Sequence, residues 1–227
     1  MPPRIAVTEM RRRALIGAAL REISDRGTLE VTVAQIANRA GVSSALAHHY
    51  FGGKEDLILA TMRHLLSEFA DGVRTRLRRA ETPRERLSAI IEGSFGDDQF
   101  HQATITAWLT FYAKALSSPG AARLLAVYQR RLHTNLRHAL RGLLPEEEVD
   151  GIAEALGALI DGVYLREALR GRVVNPAAAI AIVEDYVDCH LVATGDRTAP
   201  GATCPSADAQ PDSSIDSSTA RVDPTAP

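Results

Sequence analysis

Disulfides are not a scaffold here: Cys189 and Cys204 are the two cysteines of the 227-residue chain, too few for a bridged framework or a zinc cluster. The N-terminus lacks the apolar run of a secretory signal, and no apolar segment nears the ~20 residues a membrane helix needs. A cytoplasmic chain without membrane contact is expected. There is no Gly-rich phosphate loop, and no local motif sets out a Ser–His–Asp triad. His48 and His49 are adjacent and face different sides of a helix. His133 and His138 are spaced i, i+5, not the i, i+4 of a helical zinc site. No catalytic residue, metal site or cofactor is therefore expected, and the chain reads as a non-enzyme. Strand periodicity and internal repeats are missing too.

Net charge is small, −2, but unevenly spread. Residues 1–54 carry eight Lys and Arg against four acids, whereas the remainder is acidic. A basic front on an acidic body suits a protein that touches phosphate with one end.

The most informative stretch is VAQIANRAGVSSALAHHYFGGK, residues 33–54. Ile36, Ala37 and Ala40 fall on one side of a first short helix, and Thr32 stands where its N-cap belongs. Gly41 follows, where a residue without Cβ closes a helix in the left-handed region. Ser43 offers a hydroxyl to the free N–H groups of a second helix, Ser44 to Tyr50. Ser44, Ala45, His48 and His49 take its accessible positions. This spacing predicts a helix-turn-helix whose second helix enters the major groove. The same pattern also fits an ordinary helical hairpin.

In order, Met1 to Val7 reads as a loose arm, and a helix follows from about Thr8 to Gly27. Its apolar stripe is Ala14, Leu15, Ala18, Ala19, Glu22 and Ile23. Arg11-Arg12-Arg13 is either a DNA-backbone contact or a solvated helix start. Phe51 is expected to plug a three-helix core. Lys54 opens a long helix to about Arg79. A lysine there opposes the helix dipole, which a nearby phosphate would explain. Further helices are expected over Pro83–Phe95, Thr104–Leu116, Ala121–Leu143, Glu146–Gly171 and from Pro176 to about Val192. Beyond Ala193 the composition turns to Ala, Ser, Thr, Asp and Pro, which cannot offset ordering entropy and predicts a disordered tail. The fold class is all-α. Residues 1–53 form a helix-turn-helix DNA-binding domain, 54–192 a helical ligand-binding and dimerisation domain, and 193–227 the tail.

TVAQIANRAGVSSALAHHYFGGKEDL, followed by about six helices, resembles the TetR family of dimeric repressors over roughly residues 8–192. Within that family IIEGSFGDDQ, AWLTFYAKAL and LGALIDGVYLR resemble segments of the choline-responsive repressors of glycine betaine synthesis genes. The resemblance implies a homodimer on an inverted-repeat operator. Ser44, Ala45 and His48 would lie near base edges, Thr32, His49, Tyr50 and Lys54 near phosphates, and Ser43 belongs to the same DNA-binding set. Choline would be the effector; a TetR-type repressor of efflux or catabolic genes sensing another small cationic or hydrophobic ligand is the alternative. Two positions depart from the family pattern. Ala47 replaces a large aliphatic residue, a space Leu46 is expected to fill, and His48 replaces a tyrosine.

A quaternary ammonium has no N–H, so aromatic faces and a nearby carboxylate must hold it. Trp108, Phe111 and Tyr112 share one helical face at i, i+3 and i+4, a concentration in a chain with 5% aromatics. Asp161 interrupts an apolar run, with Tyr164 at i+3. These five are the candidate ligand residues. Alternatively the aromatics are plain core, and Asp161 is exposed or paired with Arg166 or another arginine.

Overall fold

The structure, a computed structural model, describes residues 4–170 and 175–198. They form α1 (Arg4–Arg26), α2 (Val33–Arg39), α3 (Ser44–Phe51), α4 (Lys54–Leu77), α5 (Pro83–Ser94), a 3-10 turn (Asp97–Phe100), α6 (Gln102–Ala115), α7 (Pro119–Leu140), α8 (Glu146–Leu169) and α9 (Pro176–Thr198). No β-strand occurs among the described residues.

Local chemistry sets most helix starts. Thr32 caps α2 in a capping box with Gln35, and Thr82 caps α5 in another with Glu85, just ahead of Pro83. Ser43 and Ser118 cap α3 and α7 with their hydroxyls. Two boundaries differ from the sequence reading. Helix α1 begins at Arg4, so residues 4–7 are helical and not a loose arm. Helix α9 continues to Thr198, six residues into the expected tail. The change in composition does not by itself break the i→i−4 ladder. The expected tail from 199 onward lies outside the described residues.

Leu15, Ala18, Ala19 and Ile23 of α1 are buried against Ile36 and Ala37 of α2 and Leu57 and Ile58 of α4. Ala14, placed on the stripe by sequence, is exposed, one step off the buried face. Helix α1 also packs along α6, so the N-terminal module sits directly on the body. Helices α4 and α5 meet closely at Gly93. A Cβ there would lie 2.7 Å from Val73 Cγ2, nearer than real carbons come, and 3.0 Å from Val73 Cα. Leu156 and Ile160 of α8 are core residues, at 0% and 2% exposure.

Candidate functional site

The three-helix module presents α3 as a short exposed rod. Ala47 and Phe51 face inward, while Ser44, Ala45, His48 and His49 face solvent. Ala47 is itself the core residue, at 1% exposure; Leu46, expected to fill that space, is only half-buried. The turn before α3 depends on Gly41 at φ 69°, a conformation costly for any residue with a Cβ. The module is tied internally by charge. Arg39 Nε donates to Glu22 at 2.6 Å, Arg26 Nε donates to the same carboxylate at 3.0 Å, and Arg39 also meets Asp25. The Arg26 and Arg39 bonds hold the Glu22 carboxyl below the ordinary range.

Of the three consecutive arginines, Arg12 serves the module itself. Its guanidinium lies 4.5 Å from the Phe51 ring centre, and Nη1 donates to the Tyr50 carbonyl at 2.8 Å. Arg13 pairs with Glu9 at 3.1 Å across an exposed turn. The capping oxygens of Thr32 and Ser43 accept from backbone N–H groups, so each hydroxyl keeps its proton for another acceptor. Tyr50 is half-buried against the core, with its ring 5.6 Å from that of His49. Lys54 is exposed at the first position of α4, 4.0 Å from Glu30. Thr32, Ser43, Ser44, Ala45, His48, His49 and Lys54 are all exposed around one end of the molecule.

In the body, five aromatic rings from four helices surround one carboxylate. Phe69 of α4, Trp108 and Tyr112 of α6, Tyr128 of α7 and Tyr164 of α8 line a small box with Asp161. Trp108 lies 5.2 Å from Tyr128, 5.8 Å from Tyr112 and 6.0 Å from Phe69, ring centre to ring centre. Tyr128 donates its hydroxyl to Asp161 Oδ1 at 2.9 Å, and Tyr112 donates to the same oxygen at 3.4 Å. The partners of Asp161 are thus phenols, in place of the arginine allowed for by sequence. Burial pushes the Asp161 carboxyl above its usual range, and the two phenols oppose that shift. Burial, then the Asp161 charge, raises the pKa of Tyr112 and Tyr128, which keeps both hydroxyls protonated as donors.

Four of the five sequence candidates meet in this box, and one does not. Phe111 is fully buried behind it, stacked on Tyr112 at 6.4 Å and tilted against Trp108 at 5.8 Å. The i+3 position from Trp108 points to the α6 core, while i+4 points to Asp161. Phe69 and Tyr128 are not among the candidates named from the sequence. Tyr128 carried a signal, because a phenol within a leucine stripe must find a hydrogen-bond partner. Phe69 carried none.

The box is nearly filled, with about 10 Å³ of free space, roughly one water's worth. Wider clefts adjoin it. One of about 370 Å³ between α4 and α7 reaches Phe69 and Tyr128, and one of about 490 Å³ between α7 and α8 reaches Asp161.

A polar clasp within the body holds the first turn of α4, next to the module. Glu55, one residue past Lys54, accepts from Ser118 Oγ at 2.8 Å and pairs with Lys114 Nζ at 3.3 Å. Lys114 lies two residues beyond Tyr112, and Ser118 caps the helix that carries Tyr128. The Ser118 bond and the Lys114 ammonium hold the Glu55 carboxyl low.

Residues 15–61 match the family of bacterial regulatory proteins named after tetR, and residues 83–192 match the C-terminal domain of BetI-type transcriptional repressors. The HTH-type transcriptional regulator BetI of Brucella anthropi is 56% identical over 190 residues, covering 84% of this chain and 98% of that protein. That of Rhizobium meliloti is 48% identical over 198 residues, covering 87% and 98%. A transcriptional regulator from Pseudomonas aeruginosa PAO1 superposes with a TM-score of 0.73 at 27% identity, over 83% of this chain and 94% of that one. A regulator from Saccharomonospora viridis, solved in complex with choline, shares the fold with a TM-score of 0.71 at 23% identity, over 79% and 96%. Its relatives are regulators and not enzymes, its first helices form a helix-turn-helix, and its body is BetI-type: the chain belongs to the TetR family of DNA-binding transcriptional repressors.

Proposed function

We propose that this repressor senses choline and controls genes of glycine betaine synthesis. The carrying observation is the box: a buried carboxylate that accepts from two phenols, lined by five aromatic rings. That combination suits a cation that cannot donate a hydrogen bond, since each desolvated aromatic face contributes about 0.5–2 kcal/mol to a quaternary ammonium. A choline complex of a protein with the same fold, and relatives named BetI, support the same ligand.

Residues 1–53 act as the DNA-binding domain and 54–192 as the ligand-binding and dimerisation domain, in a cytoplasmic homodimer on an inverted-repeat operator. Ser44, Ala45 and His48 face base edges; Thr32, Ser43, His49, Tyr50 and Lys54 face phosphates. Two-fold pairing is supported by apolar side chains left exposed on the last two helices. Leu165 and Leu169 of α8 and Ile182 and Val192 of α9 are 40%, 65%, 46% and 64% exposed. A four-helix bundle made from α8 and α9 of each subunit would cover them.

Choline is larger than the free space in the box, so its entry separates α6, α7 and α8. The α6–α7 elbow grips Glu55 at the first turn of α4, and the recognition helix moves with it. Choline must bind the released state more tightly to act; a tenfold preference shifts the balance by ~1.4 kcal/mol per site.

Trp108, the single tryptophan, lies inside the box and reports directly. Titration with choline is expected to change its fluorescence and to release operator DNA in the same concentration range. A protein that shows neither response at millimolar choline senses another ligand.

A further inference from the structure

His48 and Gly52 are joined by two hydrogen bonds. Gly52 N–H donates to the His48 carbonyl at 2.7 Å, and His48 Nδ1 lies 2.8 Å from the Gly52 carbonyl oxygen. A carbonyl oxygen only accepts, so Nδ1 carries the proton. Gly52 holds φ 78°, in the left-handed region, which fixes that carbonyl beside the ring. In the neutral imidazole the proton on Nδ1 leaves Nε2 with a lone pair. The two nitrogens diverge across the ring, so Nε2 points away from the helix end. His48 is exposed and shares its face with Ser44 and Ala45, at i−4 and i−3.

We infer that His48 is a specificity-determining residue that reads a base by accepting a hydrogen bond at Nε2, and so selects cytosine or adenine. In the major groove the bases offer donors only at the N4 amino group of cytosine and the N6 amino group of adenine; guanine and thymine offer acceptors there. A neutral Nε2 also has nothing to give a phosphate, which needs a donor. The inference rests on the placement of α3 in the major groove, and it adds the chemical sign of one contact.

Two measurements test it. In uniformly ¹⁵N-labelled protein free of DNA, at about pH 8, His48 is expected to be protonated at Nδ1 and bare at Nε2, the signal being assigned by its loss in His48→Gln. A proton on Nε2, alone or together with Nδ1, overturns the inference without touching the DNA-binding assignment. The second uses an operator duplex selected from a random-sequence pool by this protein, with every base pair changed in turn. Wild type is expected to prefer cytosine or adenine at one position of each half-site by about fivefold, the low end for a direct base contact. His48→Ala is expected to lose that preference alone. Loss of a preference for guanine or thymine overturns the inference, as does a uniform loss with a shallower salt dependence, which marks a phosphate contact. If wild type selects no sequence at all, the placement of α3 falls, and the inference with it.

Discussion

Ser118 donates to Glu55 across 2.8 Å, and through that bond the cap of a ligand-box helix rests on the first turn of α4. The Lys114 ammonium shares the carboxylate. Because Glu55 is half-exposed, the pair adds little to stability, as surface ion pairs do. In the function proposed here, its role would be to transmit position.

Glu55→Gln keeps an acceptor for Ser118 and removes the ion pair. Choline affinity and operator affinity, each measured alone, are expected to stay within about twofold of wild type. Choline's effect on operator affinity is expected to shrink several-fold, since coupling is a quantity separate from either affinity. Anisotropy of labelled operator with and without choline reads it. An unchanged effect removes the clasp from the signalling route.

Lys54→Ala is expected to weaken binding to operator and to random DNA alike. The slope of log affinity against log salt should fall by about one, because one phosphate contact releases about one counterion. Among the described residues, Lys54 is exposed and its ion pair is with Glu30 at 4.0 Å, so the fold should be unaffected. A salt slope equal to wild type would place the lysine away from the backbone.

Asp161 and Glu22 pull stability in opposite directions with pH. Burial raises the folded-state pKa of Asp161, so its ionisation costs stability as pH climbs from the unfolded value, ~3.9, through the raised folded one. Glu22 is held low by Arg26 and Arg39; its contribution is present above the unfolded ~4.3 and fades as pH falls through the folded value. Asp161→Asn is therefore expected to raise the melting temperature of ligand-free protein at pH 7, with the gain narrowing toward acid, and to abolish the Trp108 response to choline. Glu22→Gln should lower it at pH 7. Melting curves of both variants from about pH 3 to 8 check the signs.

Leu165→Glu and Ile182→Glu place charge on the exposed apolar faces of α8 and α9. Each is expected to yield a helical monomer, read by sedimentation together with circular dichroism. Leu156→Glu and Ile160→Glu, on the same helix as Leu165, bury a charge in the subunit core and are expected to unfold it instead. An intact dimer in both surface variants would move the interface elsewhere.

Helix number and type were legible because capping chemistry and 3.6-residue periodicity are local. Thr32, Ser43 and Pro83 mark starts that the structure repeats. The box was legible where a residue's chemistry conflicted with its surroundings, as for Asp161 within an apolar run. It was not legible where chemistry and packing agree. Phe69 and Phe111 sit on equally good apolar stripes, yet one ring faces Tyr128 at 5.4 Å and the other fills the core behind Trp108. Only the crossing of helices decides between them, and that depends on contacts far apart in sequence. The Glu55 clasp escaped for the same reason, joining residues 63 apart.

The contact at Gly93 limits how such a body can move. With no room for a methyl group where Gly93 meets Val73, α4 and α5 are in close contact there, which favours their turning together. At the start of α5, Arg84 donates to Glu184 and Asp188 of α9, at 2.7 and 2.9 Å. A push on α4 is thus passed to the helix proposed to pair subunits. In the dimer we propose, the body would rock on its paired helices, so a shift of a few tenths of an ångström at the box would grow with distance from the pivot before it reached DNA.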